Sequence, residues 1–109
     1  MTVKDITSVQ DFHDAIKSAK PVIIDFYAHH DVSSRGTTYH LDGIATQDGY
    51  KKLAFFKCDV DDVPEVKDAA GVDKVPVLRL YKDGQQLREV PIQSPHAAVE
   101  VLVQALPLV

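Results

Sequence analysis

The chain has 109 residues, of which 45% are hydrophobic and 26% are charged, and its formal net charge is −4. This length is enough to bury a core, and residues 1–109 are expected to form a single domain. Acidic and basic residues are interspersed, so neither nucleic acid nor a membrane is an expected partner. No stretch approaches about 18 apolar residues, and no basic start precedes an apolar run, so the sequence predicts a cytoplasmic protein.

The first predicted elements are a capped helix and a buried strand. Ser8 is a suitable N-cap, and apolar residues follow it at positions 12, 15, 16 and 19, the spacing of a helix that ends before Pro21. Residues 23–28 form an apolar run that is interrupted only by Asp25. Such a run is typical of a strand that is covered on both faces.

A second apolar run, residues 53–60, predicts another buried strand and contains Cys58. Because Cys58 is the only cysteine, an intramolecular disulfide is excluded. We interpret Cys58 as a small core residue whose burial raises the thiol pKa and limits access. The alternative is a surface-facing thiol that is open to glutathionylation.

Four further elements are predicted in chain order: a helix at 63–70, strands at 75–81 and 87–90, and a final helix opened by Ser94-Pro95. Pro64 in the first turn and Gly71 after the last turn bound the first of these helices. Asp83-Gly84 joins the two strands, since this pair tolerates positive φ. Periodicity therefore predicts an α/β protein and leaves the strand order open.

Several segments resemble a known family. They are residues 22–28 (VIIDFYA), residues 57–62 (KCDVDD), the dipeptide Val75-Pro76 and residues 82–85 (KDGQ). In order and spacing they resemble the thioredoxin family, and the likeness extends over residues 3–106. The resemblance implies an α/β, thioredoxin-like fold with a central mixed β-sheet flanked by helices on both faces. It also implies that Pro76 is the family's cis-proline.

The chain departs from this family at the active site. In thioredoxins the central strand runs into Trp-Cys-x-x-Cys, whereas here it runs into His30-Asp31-Val32-Ser33-Ser34. Asp31 and Ser34 fall on the two cysteines, and His30 falls on the tryptophan. Thiol-disulfide exchange needs one thiolate to attack and a second thiol to resolve the mixed disulfide. The chain is therefore predicted not to be a disulfide oxidoreductase.

Two further departures affect the binding face. The resemblance implies a groove for a partner, formed by His30, Asp31, Val32, Ser33, Ser34, Val75, Pro76 and Ile92. Ile92 stands near a glycine of the family, so its β-branched side chain should narrow or reshape the groove. The family's long helix should follow the loop, but poor helix formers predict that it begins late or frays; these are Gly36, Thr37, Thr38 and Gly43.

The function predicted from these features is that of a redox-inactive module that binds protein or acts as a scaffold through the remodelled active-site face. Its partner is a different protein or a second copy of the chain, as a homodimer. No cofactor is expected. The alternative is a thioredoxin-fold enzyme of a different class, whose acid/base chemistry on a small molecule uses residues of this face: His30, Asp31, Ser34 or His40.

The resemblance also implies a role for Asp25, as the family's buried acid with Lys57 beside it. Asp25 is either an inherited group, kept neutral or paired with Lys57, or a general acid or base for a group near Ser34. A metal site is not expected. His29, His30 and His40 are ligand-type residues, but adjacent side chains in an extended loop diverge, and no His-x-x-x-His spacing is present.

Overall fold

The computed structural model describes residues 3–92 and 94–104, and the side chains of residues 32–38 and 95 lie outside this description. Within these ranges the strands are β1 (Val3–Asp5), β2 (Val22–Tyr27), β3 (Ala54–Asp59), β4 (Val77–Lys82) and β5 (Gln85–Pro91). The helices are α1 (Val9–Ile16), α2 (Val32–Ala45), α3 (Pro64–Ala70) and α4 (Pro95–Val103), and a short 3-10 helix spans Asp48–Tyr50. No helix in the described ranges is both long and apolar enough to cross a membrane.

The five described strands form one mixed sheet in the order β1-β3-β2-β4-β5. β1 and β2 both run parallel to β3, whereas β4 runs antiparallel to β2 and to β5. Because β2 and β3 are parallel, their carboxyl ends meet at one edge of the sheet, together with the amino end of β4. This edge carries the loop that leads into α2.

Each face of the sheet is covered by two helices, which confirms the predicted fold class. On one face α1 and α3 enclose an apolar cluster that includes Phe12, Phe26 and Val66. On the other face α2 and α4 pack over a cluster that includes Leu41 and Leu102. Successive strand residues point to opposite faces, so β2 contributes to both clusters and reads as a nearly continuous apolar run.

Most of the predicted caps and turns are present. The Ser8 hydroxyl accepts a hydrogen bond from the Asp11 amide at 3.0 Å, as an N-cap does. Gly71 follows α3 with a φ of 67°, a left-handed conformation that glycine adopts without steric cost. Asp83 and Gly84 both have positive φ, at 55° and 82°, and they connect β4 to β5. These short-range predictions are confirmed.

Several element boundaries differ from the predictions: β4 begins at Val77 and not at residue 75, and β5 spans Gln85–Pro91 and not 87–90. α1 ends at Ile16 and leaves Ala19 exposed, so the helix is shorter than its apolar spacing predicted. α2 begins at Val32, and the prediction of a late start is wrong. Its C-terminal half buries Leu41, Ile44 and Ala45 against the sheet. This packing outweighs the low helix propensity of the glycine and threonine residues.

Arg79 is a buried cation on the α1/α3 face of the sheet, with 4% of its surface exposed. Its guanidinium donates to Glu89 Oε1 at 2.7 Å, to the Gly71 carbonyl at 2.9 Å and also to the Ala70 carbonyl. It lies over the Phe26 ring, with its Cζ 5.6 Å from the ring centroid. Arg79 therefore ties the C-terminus of α3 to the sheet.

Cys58 lies on the α1/α3 face and is 1% exposed, which confirms that it is a core residue. Burial, followed by the nearby carboxylates of Asp59 and Glu65, raises the pKa of its thiol to about 12. We therefore expect no reaction of the native protein with a thiol reagent at pH 8, and one equivalent of reaction after unfolding in guanidinium. Rapid labelling of the native protein would contradict this assignment.

Candidate functional site

The candidate site lies at the edge of the sheet where β2 and β3 end. Residues 28–31 connect β2 to α2, and the Asp31 amide donates to the Ala28 carbonyl at 3.0 Å. Asp31 is half-buried and immediately precedes the first residue of α2, Val32. Ser33 and Ser34 follow in the first turn of that helix. Val32, Ser33 and Ser34 were predicted to form part of the groove. Their side chains lie outside the described part of the structure.

The opposite side of this face is formed by Val75, Pro76 and Ile92, all of which are half-buried. The Val75–Pro76 peptide bond is cis. The Ile92 amide donates to the Pro76 carbonyl at 3.2 Å, so these two predicted groove residues are direct neighbours. Ile92 also packs against the apolar cluster beneath α2 and α4. Its side chain is therefore part of the packing on the α2/α4 face, next to the predicted groove residue Pro76.

Asp25 is fully buried in β2. In the strand register it lies opposite Lys57 of β3 and Leu78 of β4, and its side chain shares the α2/α4 face with Ile23. The Lys57 Nζ is 3.9 Å from Asp5 Oδ1 of β1. Lys57 of β3 therefore lies between Asp5 of β1 and Asp25 of β2. Cys58 points to the opposite face of the sheet from Asp25.

A group of histidines and aspartates adjoins this face, and we call it the His29 cluster: His29, His30, Asp59, Asp61 and Asp62. The His29 Nδ1 lies 2.7 Å from Asp59 Oδ2, 3.9 Å from Asp61 Oδ2 and 3.6 Å from Asp62 Oδ1. The His30 Nδ1 contacts Asp61 Oδ2. Two loops that are about thirty positions apart in the sequence are thereby joined.

Backbone amides hold the carboxylates of the His29 cluster in place. The Asp59 carboxylate accepts from the amides of His29 at 3.3 Å and Asp61 at 3.0 Å. The Asp61 carboxylate accepts from the His30 amide at 3.2 Å. The Val60 amide donates to the Tyr27 carbonyl at 2.8 Å, next to the last residue pair between β2 and β3, Tyr27 and Asp59. The carboxylates are therefore oriented toward the imidazoles by the register of the two strands.

The predicted site residues are thus separated into groups. His30 joins the His29 cluster, whereas His40 is exposed on α2, in an edge-to-face contact with Tyr39, and is not part of the group of potential ligands around His29. Asp59, Asp61 and Asp62 were not predicted as site residues. The sequence contained a signal for them, since histidines follow one predicted strand and aspartates end the other. If the two strands are parallel neighbours, these residues lie at the same edge of the sheet.

The electrostatics of the His29 cluster favour a protonated His29. The hydrogen bond to Asp59 raises the pKa of His29 above its usual value near 6.5, with smaller contributions from Asp61 and Asp62. Conversely, the hydrogen bond from His30 lowers the pKa of Asp61. In metal-free protein we expect His29 to titrate above 6.5 by NMR, and Asp59→Asn to return its pKa toward that value.

The sign of the linked stability effect follows from the raised pKa. The stabilisation that the protonated imidazole provides is complete below the unfolded pKa and is lost as the pH rises through the folded pKa. His29→Gln should therefore cost more stability at pH 6 than at pH 8, measured by denaturant unfolding in the presence of a chelator. His13→Gln is the matched control, because it removes an exposed histidine of α1 that lies outside the His29 cluster. An equal loss at both pH values in His29→Gln would contradict the assignment.

Comparisons with known proteins agree with this fold. The Thioredoxin family model matches residues 3–105. Thioredoxin-2 of Pyricularia oryzae is 36% identical over 95 residues, which cover 87% of this chain and 54% of that protein, so the chain spans about half the length of that relative. The thioredoxin of Coprinus comatus is 30% identical over 102 residues, which cover 94% of this chain and 95% of that protein.

Solved structures give the same result. Mitochondrial thioredoxin 3 from Saccharomyces cerevisiae superposes with a TM-score of 0.81 at 27% identity and covers 94% of both chains. The thioredoxin of Malassezia sympodialis has a TM-score of 0.84 at 24% identity, with 94% of this chain and 90% of that chain covered, and it shares the fold. The family model, the sequence relatives and the structures agree that this chain belongs to the thioredoxin family.

Proposed function

We propose that this protein is a redox-inactive member of its family that binds a protein partner through the face formed by residues 30–34, Val75, Pro76 and Ile92. The observation that carries the proposal is the position of the only thiol. Cys58 is buried on the opposite side of the sheet from α2, and Asp31 and Ser34 stand at the ends of the former Cys-x-x-Cys segment. Neither a carboxylate nor a hydroxyl can carry out thiol-disulfide exchange.

The redox part of the proposal is tested by reduction of insulin with dithiothreitol. The protein should not accelerate the reaction above the uncatalysed rate, because no thiolate is available to attack the disulfide. A thioredoxin assayed in parallel serves as the positive control. Acceleration comparable to that control would refute the proposal.

The binding part is supported by the half-buried apolar residues of the same face. A face that is exposed and partly apolar is suited to a protein contact, including contact with a second copy of the chain. If the chain self-associates through this face, sedimentation should show a concentration-dependent dimer that Ile92→Glu abolishes. Leu87→Glu is the matched control, since Leu87 is an exposed hydrophobic residue of β5 outside the face. A monomer at all concentrations would reject self-association and leave a different protein as the partner.

An acid/base enzyme is the second candidate, and the imidazole–carboxylate pair His30–Asp61 favours it. A carboxylate that accepts a hydrogen bond from one ring nitrogen orients the imidazole and fixes its tautomer, as a general base requires. Asp31, Ser34, His40 and Asp25 complete the candidates for this chemistry. His30 does not line the neighbouring cleft, which is formed by residues that include Tyr27, Asp59 and Asp62. For this reason we place the enzyme second.

We also propose a cytoplasmic location. With a single, buried cysteine the chain cannot form an intramolecular disulfide, so an oxidising compartment would not stabilise its fold. Imaging of a fluorescent fusion would test this, and accumulation in a secretory compartment would contradict it.

A further inference from the structure

We propose that His29, Asp59 and Asp61 form a binding site for a divalent transition-metal ion of the zinc type at the carboxyl edge of β2 and β3. Each of these residues offers one ligand atom, and the three atoms lie within 4.8 Å of one another. Asp62 provides a further oxygen, 3.6 Å from His29 Nδ1. The site goes beyond the proposed protein-binding function and does not depend on it.

The ligand spacing suits a small ion. Zinc binds imidazole nitrogen and carboxylate oxygen at about 2.0–2.2 Å, so two ligands of a tetrahedral ion stand about 3.3 Å apart. The distances from His29 Nδ1 to Asp59 Oδ2 and Asp61 Oδ2, 2.7 Å and 3.9 Å, bracket this value. To hold one ion, the first distance would have to lengthen and the second to shorten toward this value. The ion would take the place of the hydrogen bond between His29 and Asp59, since a ligating nitrogen carries no proton.

The chemistry of the donors selects the class of ion. Calcium and magnesium prefer oxygen ligands only, whereas imidazole is a common ligand of zinc, iron, nickel and copper. The His29 cluster combines an imidazole with carboxylates, so it differs from an ordinary group of surface acids. This composition indicates zinc or a similar first-row ion over magnesium or calcium.

The carboxylates are ordered before any ion binds. Backbone amides of His29 and Asp61 hold the Asp59 carboxylate, and that side chain is only 12% exposed. The His30 imidazole and amide hold Asp61. Outer contacts of this kind orient metal ligands and strengthen binding. His30 is thus assigned to positioning Asp61 and not to direct ligation.

Space for further ligands is available beside the cluster. Asp59 and Asp62 line a surface cleft of about 250 Å³, together with residues that include Asp5, Thr7 and Tyr27. Three protein ligands leave a fourth position of a zinc ion open to water or to a small anionic ligand. The carboxylates of this cleft also attract cations electrostatically.

Zinc titration of untagged, chelator-treated protein by calorimetry tests the site. We expect one equivalent to bind, a higher thermal midpoint in its presence, and no comparable binding of magnesium. His29→Gln and Asp59→Asn should each weaken zinc binding by about tenfold or more. The amide oxygen of Asn can still accept the backbone hydrogen bonds, so Asp59→Asn should remain folded, as circular dichroism would show.

Two controls make the result decisive. His13→Gln removes an exposed imidazole of α1 that lies outside the cluster, and it should bind zinc as the parent chain does. His30→Gln should weaken binding less than His29→Gln, because His30 acts through Asp61. The proposal is overturned if the parent chain binds no stoichiometric zinc. It is equally overturned if His29→Gln and Asp59→Asn bind zinc as tightly as the parent.

Discussion

Arg79→Leu is expected to lower the free energy of unfolding by about 2–4 kcal/mol. The substitution removes every donor that the guanidinium directs at Glu89, the Ala70 and Gly71 carbonyls and the Tyr81 hydroxyl, the last at 3.1 Å. Loss of one partner of a buried charge pair is costly because the other group is left without compensation. Glu89 is 38% exposed and regains some hydration, which keeps the loss below that of a fully buried pair.

Thermal unfolding measures this effect, and a domain of this size should lose about 10–20 °C in its midpoint. Arg88→Leu is the matched control, because Arg88 is an exposed arginine on the adjacent strand. It should change stability by less than about 0.5 kcal/mol. Arg79→Lys should be intermediate, since one ammonium cannot span the carbonyls and Glu89 at once. Equal losses in Arg79→Leu and Arg88→Leu would show that the buried contacts do not matter for stability.

The network around Arg79 could not be predicted from the sequence. Arg79 interrupts an apolar strand, and its partners come from the end of α3 and from β5. Periodicity identifies a polar residue on a buried strand, but it does not indicate which groups compensate the charge. The caps and turns were predictable for the opposite reason. Ser8, Gly71 and Asp83-Gly84 act on backbone groups a few positions away, so the local sequence contains all the information.

The candidate site likewise has one feature that the sequence predicts and one that it does not. The absence of cysteine at positions 31 and 34 is visible in the sequence, because it depends on residue identity alone. The contact between His29 and Asp59 depends on the register of β2 against β3, which pairs Tyr27 with Asp59. The prediction that the histidines diverge considered only their own loop. The carboxylates that adjoin them belong to another strand, and strand order was available only through the family resemblance.

The second large effect concerns the proposed redox inactivity: placing cysteines at both positions, as Asp31→Cys with Ser34→Cys, should create disulfide reductase activity. Residue 31 immediately precedes α2 and residue 34 lies in its first turn. The N-terminus of a helix stabilises a thiolate, which lowers the pKa of a cysteine placed there. Residues three positions apart on a helix are neighbours, so the second thiol can resolve a mixed disulfide.

Insulin reduction by this double variant should exceed the uncatalysed rate by about tenfold or more, equivalent to about 1.4 kcal/mol of the barrier. Asp31→Cys alone is the matched control. Without dithiothreitol it should form a mixed disulfide with insulin that persists and is detectable by mass spectrometry, because the protein offers no second accessible thiol to release the product. If the double variant forms its internal disulfide yet stays inactive, other residues of the face also prevent disulfide exchange.

If the double variant does not reduce insulin, the Ile92 side chain is the first feature of the face to test. Its amide donates to the Pro76 carbonyl, and a glycine at position 92 retains that amide while removing the side chain. Adding Ile92→Gly to the two cysteines should therefore raise insulin reduction further, provided that circular dichroism shows the variant to be folded. If the rate does not rise, the Ile92 side chain does not limit access of a disulfide substrate, and the reshaped groove is not a barrier to this chemistry.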